Sequence, residues 1–253
     1  MRFSDRVDAG RQLAVRLSEY GGRSDVLILA LPRGGVPVAF EVASRLGVPL
    51  DVVLVRKLGV PGHPELAMGA IAAGGVEVLS DHLIRDLGIP HALVQQTAVR
   101  ERLELDRRDR LYRGTRRPPI VGGRVVILVD DGVATGSTME AATIALRRMA
   151  PVGIVVAVPV GAPETCERIG RIADRVVCLL MPDSFSAVGL WYEEFGQTSD
   201  EEVKRLLAAA WSRGRPDGEP PPDPIPSDVR RRARPLTNAG DDWPFQEKGR
   251  TRR

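Results

Sequence analysis

Short apolar runs alternate along this chain with longer stretches whose apolar positions recur every three or four residues. The runs are Val26 to Leu31, Leu50 to Val55, Val125 to Val129, Gly153 to Val158 and Arg175 to Leu180. Runs of this length, rich in β-branched residues, predict buried strands. Between them, Val36, Val38, Ala39, Val42, Ala43 and Leu46 mark one face of a helix over 35–46. Further helices are predicted over about 5–20, 91–111, 139–149, 163–172 and 201–211, with two short strand-like runs near 68–80. Regular alternation of strand and helix predicts an α/β fold: a doubly wound, mostly parallel sheet with flanking helices.

The turns carry the chemistry. Val125 to Val129 ends in Asp130-Asp131, and Gly132-Val-Ala-Thr-Gly-Ser-Thr138 leads into the helix at Met139. Small residues let the backbone approach a ligand, and the N–H groups of Thr135 to Thr138 can converge on a phosphate at the helix start. Two acceptor-only carboxylates beside such a nest would repel a bare polyphosphate but suit sugar hydroxyls or a bridging divalent cation. A sugar 5-phosphate satisfies both halves. The bland alternative, a helix cap and a glycine turn, needs one such side chain and leaves Thr135, Ser137 and Thr138 without a reason. Ser137 stands where a nucleoside triphosphate P-loop requires Lys, and the glycines do not match a dinucleotide fingerprint.

A second strand-turn-helix junction lies upstream, where Val26 to Leu31 passes into Pro32-Arg33-Gly34-Gly35. Its free N–H groups would bind an anion with Arg33 adding charge, although taken alone it also reads as an ordinary tight turn. The run Leu50 to Val55 ends in Arg56-Lys57, which is either a solvated strand terminus or a cationic arm facing a ligand.

The segment Val125-Val-Ile-Leu-Val-Asp-Asp-Gly-Val-Ala-Thr-Gly-Ser-Thr138 resembles the phosphoribosyl pyrophosphate (PRPP) motif of the type I phosphoribosyltransferases, a resemblance that extends over roughly residues 5–205. It implies transfer of ribosyl 5-phosphate from PRPP to a nitrogenous acceptor, with pyrophosphate released and Mg²⁺ as cofactor. Asp130 and Asp131 would hold the ribose hydroxyls and help hold the metal. Ala134, Thr135, Gly136, Ser137 and Thr138 would hold the 5-phosphate. Arg33, Gly34 and Gly35 would take the pyrophosphate through a loop with an often cis, non-proline peptide. Lys57, and after it Arg56, would contact pyrophosphate, so Lys57, Asp130 and Asp131 form the catalytic set. Leu58 to Leu66 resembles the family's flexible flap, where His63 and Glu65 read either as functional groups or as solvated charges. After the last strand, Met181 to Phe195 occupies the place of the acceptor-binding hood, with Phe185 and Tyr192 as acceptor contacts and Trp191 and Phe195 as packing residues. Ala134 stands where purine-salvage members carry a catalytic Asp, which argues against a hypoxanthine or guanine acceptor. A non-catalytic PRPP-binding regulatory protein is the alternative function.

Composition adjusts this reading in three places. The net charge of +3 resides in residues 212–253, which hold ten basic and seven acidic side chains, so it argues against nucleic acid as a partner of residues 1–211. That segment also contains eight prolines and little apolar periodicity; it is expected to be an extended or disordered tail behind a 1–211 domain, with Trp243-Pro-Phe245 able to dock on the body or on a second copy in a homo-oligomer. Cys166 and Cys178 form no disulfide or zinc pattern and are expected to be reduced packing residues of a cytoplasmic protein. No run of apolar residues reaches the length of a membrane span, and no apolar stretch follows Met1-Arg-Phe-Ser-Asp-Arg6 as a secretory signal would require.

Overall fold

A computed structural model describes residues 2–213, except for the side chains of Pro64 and Glu65. Five parallel strands form the central sheet: β1 (Val26–Ala30), β2 (Leu50–Val52), β6 (Val125–Val129), β7 (Gly153–Val160) and β8 (Arg175–Leu180). Their spatial order is β2-β1-β6-β7-β8. The chain leaves β1 toward β2 on one side, then returns to lay β6, β7 and β8 on the other. The winding direction therefore reverses between β1 and β6, as the α/β doubly wound reading requires.

Burial on both faces explains the unbroken apolar runs. Val26, Ile28 and Ala30 of β1 point to one face with Ile127 and Val129, under α1 (Arg6–Arg16), α2 (Gly35–Leu46) and α7 (Asp200–Arg213). Leu27, Leu29, Leu128, Ile154 and Val156 point to the other, under Met139, Ala142 and Leu146 of α5 (Ser137–Arg147) and Cys166 and Ile169 of α6 (Pro163–Gly170). Helix ends coincide with their local signals. Asp5 caps α1 by accepting from the Asp8 N–H at 2.7 Å, and Gly47, with φ of +64°, closes α2.

The strand expected over Leu50 to Val55 divides. β2 ends at Val52, and β3 (Val55–Val60) belongs to a separate antiparallel sheet with β4 (His63–Ala72) and β5 (Val76–Leu79). A continuous apolar run reads alike whichever sheet receives it, so periodicity does not reveal the crossing. The flap-like segment Leu58 to Leu66 is the tip of the β3–β4 hairpin, whose register shifts at Gly59. The helix expected over 5–20 likewise ends at Arg16 and is followed by a 3-10 turn at Ser18–Tyr20. Helices α3 (Asp81–Asp86) and α4 (His91–Arg113) connect the hairpin sheet to the core. On the solvated side of α4, Glu104 pairs with Arg107 and Arg108, each at 2.8 Å. The expected boundary at 211/212 falls inside α7, and residues 214–253, with Trp243 and Phe245, lie outside the described residues.

Candidate active site

Reversal of the winding leaves a crevice at the carboxyl ends of β1 and β6, where open α/β sheets bind ligands. Ala30 pairs with Val129, and the Leu31 N–H donates to the Val129 carbonyl at 2.9 Å, so the two loops leave the sheet side by side. They are pressed together. A Cβ on Gly35 would lie 2.7 Å from the Val129 oxygen and 2.8 Å from the Asp130 Cα, and one on Gly34 would overlap the Asp131 carboxylate. Close approach, rather than a positive φ, is what requires glycine at 34 and 35. The Pro32–Arg33 peptide is cis.

Beyond the acid pair, Gly136 adopts a φ of +74° and α5 starts at Ser137 with no side-chain cap. Its first-turn N–H groups therefore point out of the helix end without an internal acceptor, beside the hydroxyls of Thr135, Ser137 and Thr138. Ala134, Thr135 and Thr138 are exposed, Ser137 is half-buried and Gly136 is buried. The loop is held from behind by α6. The Thr165 hydroxyl donates to the Ala134 carbonyl at 2.7 Å, and Arg168 donates both to the Thr135 carbonyl and to the buried Glu140 carboxylate. Burial raises the Glu140 carboxyl above the usual range, against the pull of Arg168.

The acid pair is braced from three directions. Arg6 places Nε and Nη2 each 2.8 Å from Oδ2 of Asp131, while its Nη1 donates to the Gly196 carbonyl at 2.7 Å and its guanidinium lies 3.9 Å above the Phe195 ring. The Asp131 N–H donates to Oδ1 of Asp130 at 2.8 Å. The Tyr192 hydroxyl donates to the Asp131 carbonyl at 2.5 Å. Burial, and then the neighbouring Asp131 charge, raises the Asp130 carboxyl well above its ordinary value. Asp131 is also raised by burial, with Arg6 opposing. The pair therefore shares its charge: two half-buried carboxylates this close resist double ionisation, and the guanidinium favours keeping the charge on Asp131.

Other sequence candidates fall differently. Arg33, half-buried, reaches toward Asp200 at the start of α7, 4.0 Å away, and Asp200 also accepts from the Tyr112 hydroxyl at 2.6 Å. Arg56, expected in a ligand-facing arm, pairs with Glu101 of α4 at 2.6 Å. Neighbours on a strand face opposite ways, so Lys57 lies on the other side of β3, half-buried. Tyr192, expected as an acceptor contact, is packed into the molecule. It is 4% exposed, its ring lies against Phe3 and Phe195 at centroid distances of 5.4 and 4.9 Å, and its hydroxyl supports the Asp131 backbone. Phe185 is half-buried against the same cluster. His63 is exposed at the hairpin tip. Among the described residues, no group of three metal-ligating side chains comes together.

Arg6, Glu140, Thr165 and Arg168 were not singled out in the sequence. Arg6 opens an amphipathic helix and reads as an ordinary surface charge, as does Arg168. Glu140 alone left a signal, a lone carboxylate among Met139, Ala141, Ala142 and Thr143 on a helix that had to be buried.

Comparison with known proteins agrees with this geometry. The family model described as the phosphoribosyl transferase domain matches residues 4–71 and 65–193. The Mycobacterium tuberculosis protein Rv0571c, whose name provisionally assigns it as a phosphoribosyl transferase, is 46% identical over 209 residues. That match covers 82% of this chain and 47% of the relative, and its counterpart in a second strain matches equally. This chain thus spans about half the length of the curated relatives it matches. The crystal structure of TT1426 from Thermus thermophilus superposes with a TM-score of 0.77 at 47% identity, covering 83% of this chain and 99% of that one.

Proposed function

This chain belongs to the phosphoribosyl transferase domain family, and on that premise we propose that it transfers ribosyl 5-phosphate from PRPP to a small nitrogenous acceptor, releasing pyrophosphate. The observation that carries the reading is the junction of an uncapped helix start with a braced acid pair at one switch point. The α5 end suits a phosphate monoester, the carboxylates suit the ribose diol, and the Arg33–Gly35 loop lies against both.

Each group then has a physical task. Donors from Thr135 to Thr138 tether the 5-phosphate, which fixes the ribose over Asp130 and Asp131 and turns a bimolecular encounter into an oriented one. Breaking the bond from C1 to the pyrophosphate oxygen leaves the ring electron-poor and the departing phosphates electron-rich, while the acceptor nitrogen forms the new bond at C1. Asp131 counters the positive charge building on the ring. Backbone donors at Gly34 and Gly35, with Arg33 and Lys57, counter the negative charge on the leaving group. Closure of the β3–β4 tip would keep water from the electron-poor centre.

Magnesium fits this donor set only as an ion liganded chiefly by substrate. Asp130 and Asp131 supply two carboxylates, and one oxygen of Asp131 already accepts from Arg6. Mg²⁺ bound with PRPP would supply charge neutralisation at the phosphates. A catalytically silent PRPP sensor is the second reading, favoured by one feature: Ala134, exposed beside the acid pair, offers no carboxyl to take the acceptor's proton. Calorimetry with PRPP and Mg²⁺, followed by a screen of purine, pyrimidine and other nitrogen bases for base-dependent pyrophosphate release, tests both. Binding with turnover of at least one base supports the transferase, binding without turnover supports the sensor, and no binding at millimolar PRPP overturns both.

A further inference from the structure

We propose that Thr165 and Arg168 of α6 are positioning residues for the 5-phosphate: they hold carbonyls of the phosphate loop back so that its N–H groups face the ligand. This rests on the PRPP reading above and goes further by naming what orients the donors of that site. Along the loop each carbonyl has its own partner. The Val133 carbonyl accepts from the Ala162 N–H at 3.1 Å, that of Ala134 from the Thr165 hydroxyl at 2.7 Å, that of Thr135 from Arg168, and that of Gly136 from the Glu140 N–H at 2.9 Å. These peptides are trans, and in a planar trans peptide the C=O and the N–H that follows it point in opposite directions. Carbonyls drawn toward α6 and along α5 therefore turn the N–H groups of Ala134, Thr135, Gly136 and Ser137 away from both helices. Among the described residues none of these N–H groups has an acceptor.

Two of the carbonyls depend on side chains of α6, and both side chains are fixed by their packing. Thr165 is buried, with its methyl beneath the turn: a Cβ on Gly136, whose φ is +74°, would lie 2.5 Å from Thr165 Cγ2. Arg168 is anchored by the Glu140 carboxylate, 1% exposed, so its planar guanidinium bridges the first turn of α5 to the Thr135 carbonyl. It also sets a positive charge beside the carboxylate that lies behind the phosphate position, 3.4 Å from where a Gly136 Cβ would be. Neither residue needs to touch substrate. Losing the Thr165 hydroxyl or the Arg168 fork frees one peptide to rotate, and its N–H then leaves the point on which the others converge.

Substitutions that separate the hydroxyl from the shape test this. Thr165→Val keeps a branched side chain beneath Gly136 but removes the donor, and calorimetry on the full chain with PRPP and Mg²⁺ is expected to show about 3- to 10-fold weaker binding, the worth of one hydrogen bond. Thr165→Ser keeps the donor and gives up the methyl; it is expected to bind within about 2-fold of wild type, whatever its cost in melting temperature. Packing alone predicts the reverse order, because the smaller side chain leaves the larger void. Arg168→Lys leaves a cation for Glu140 but has no fork to reach both acceptors, and is expected to weaken PRPP binding by about 3-fold or more. It serves if Thr165→Val does not fold. Wild-type affinity in Thr165→Val or in Arg168→Lys, or Thr165→Ser binding as weakly as Thr165→Val, overturns the positioning role, while PRPP binding by the wild type leaves the broader reading intact. Failure of the wild type to bind at millimolar PRPP overturns both.

Discussion

Asp130 and Asp131 sit side by side and yet should respond differently to substitution. Asp130 is held above the usual carboxylate range by burial and by its neighbour, so Asp130→Asn replaces a group already biased toward neutrality and is expected to leave stability within about 1 kcal/mol. Asp131→Asn strands Arg6 and should cost about 1–3 kcal/mol. Both are expected to lower PRPP affinity or turnover far more than the melting temperature shift implies, which thermal melts run beside PRPP titrations would show. Gly34→Ala is the steric counterpart. Its Cβ would overlap the Asp131 carboxylate, so either the loop or the acid pair must move. A loss of PRPP affinity of about 10-fold or more with an intact fold is expected; unchanged affinity would show that the two loops are not held against each other in solution.

At the scale of elements, α6 acts on the phosphate loop through Thr165 and Arg168 while burying Cys166 and Ile169 beneath the sheet. Arg168→Ala leaves Glu140, at 1% exposure, without its guanidinium. The Glu140 carboxyl is already raised by burial, and removing Arg168 raises it further. A folded state that holds this proton more tightly than the unfolded chain loses stability as pH climbs past about 4.3, the unfolded glutamate value. Denaturation of Arg168→Ala should therefore show a larger deficit against wild type at pH 8 than at pH 5. An equal deficit at both would mean that Glu140 finds another partner. Because the Thr135 carbonyl also loses its donor, weaker ribose 5-phosphate binding should accompany the change.

For the molecule as a whole, two of the three tyrosines resist ionisation, and this sets an alkaline limit. Burial and the hydrogen bond to Asp200 push Tyr112 up to about 12, and burial with the Asp131 charge pushes Tyr192 higher still. The unfolded chain ionises these phenols near pH 10, so above that point it binds fewer protons than the fold and stability must fall. Absorbance titration should find at least two phenols protonated in the native protein at pH 11, with their ionisation coinciding with unfolding. A second whole-molecule expectation concerns the boundary. Helix α7 is anchored by the Trp211 indole N–H on the Leu50 carbonyl at 3.1 Å and by Arg116 above that ring, both within residues 2–213. Removing residues 214–253 should leave PRPP affinity and subunit number unchanged; a loss of either would place part of the binding or assembly surface in the removed segment.

The sequence by itself determined the parallel sheet, its flanking helices and the two loops at its switch point, because buried strands and amphipathic helices write their periodicity locally and the Asp-Asp and Gly-Gly turns are contiguous. Glycine at 34 and 35 was legible as an anion-binding turn, although only the fold shows that it packs against Asp130-Asp131. Tertiary structure decided the rest. It turned Val55 to Val60 away into the hairpin sheet, paired Arg56 with Glu101 and tied the Tyr192 hydroxyl to the Asp131 carbonyl. It also brought Arg6 and Arg168 to the site from helices that look solvated in one dimension. A charge's partner depends on which elements pack together, and that is set by long-range burial, to which the spacing of neighbours along the chain carries no reference.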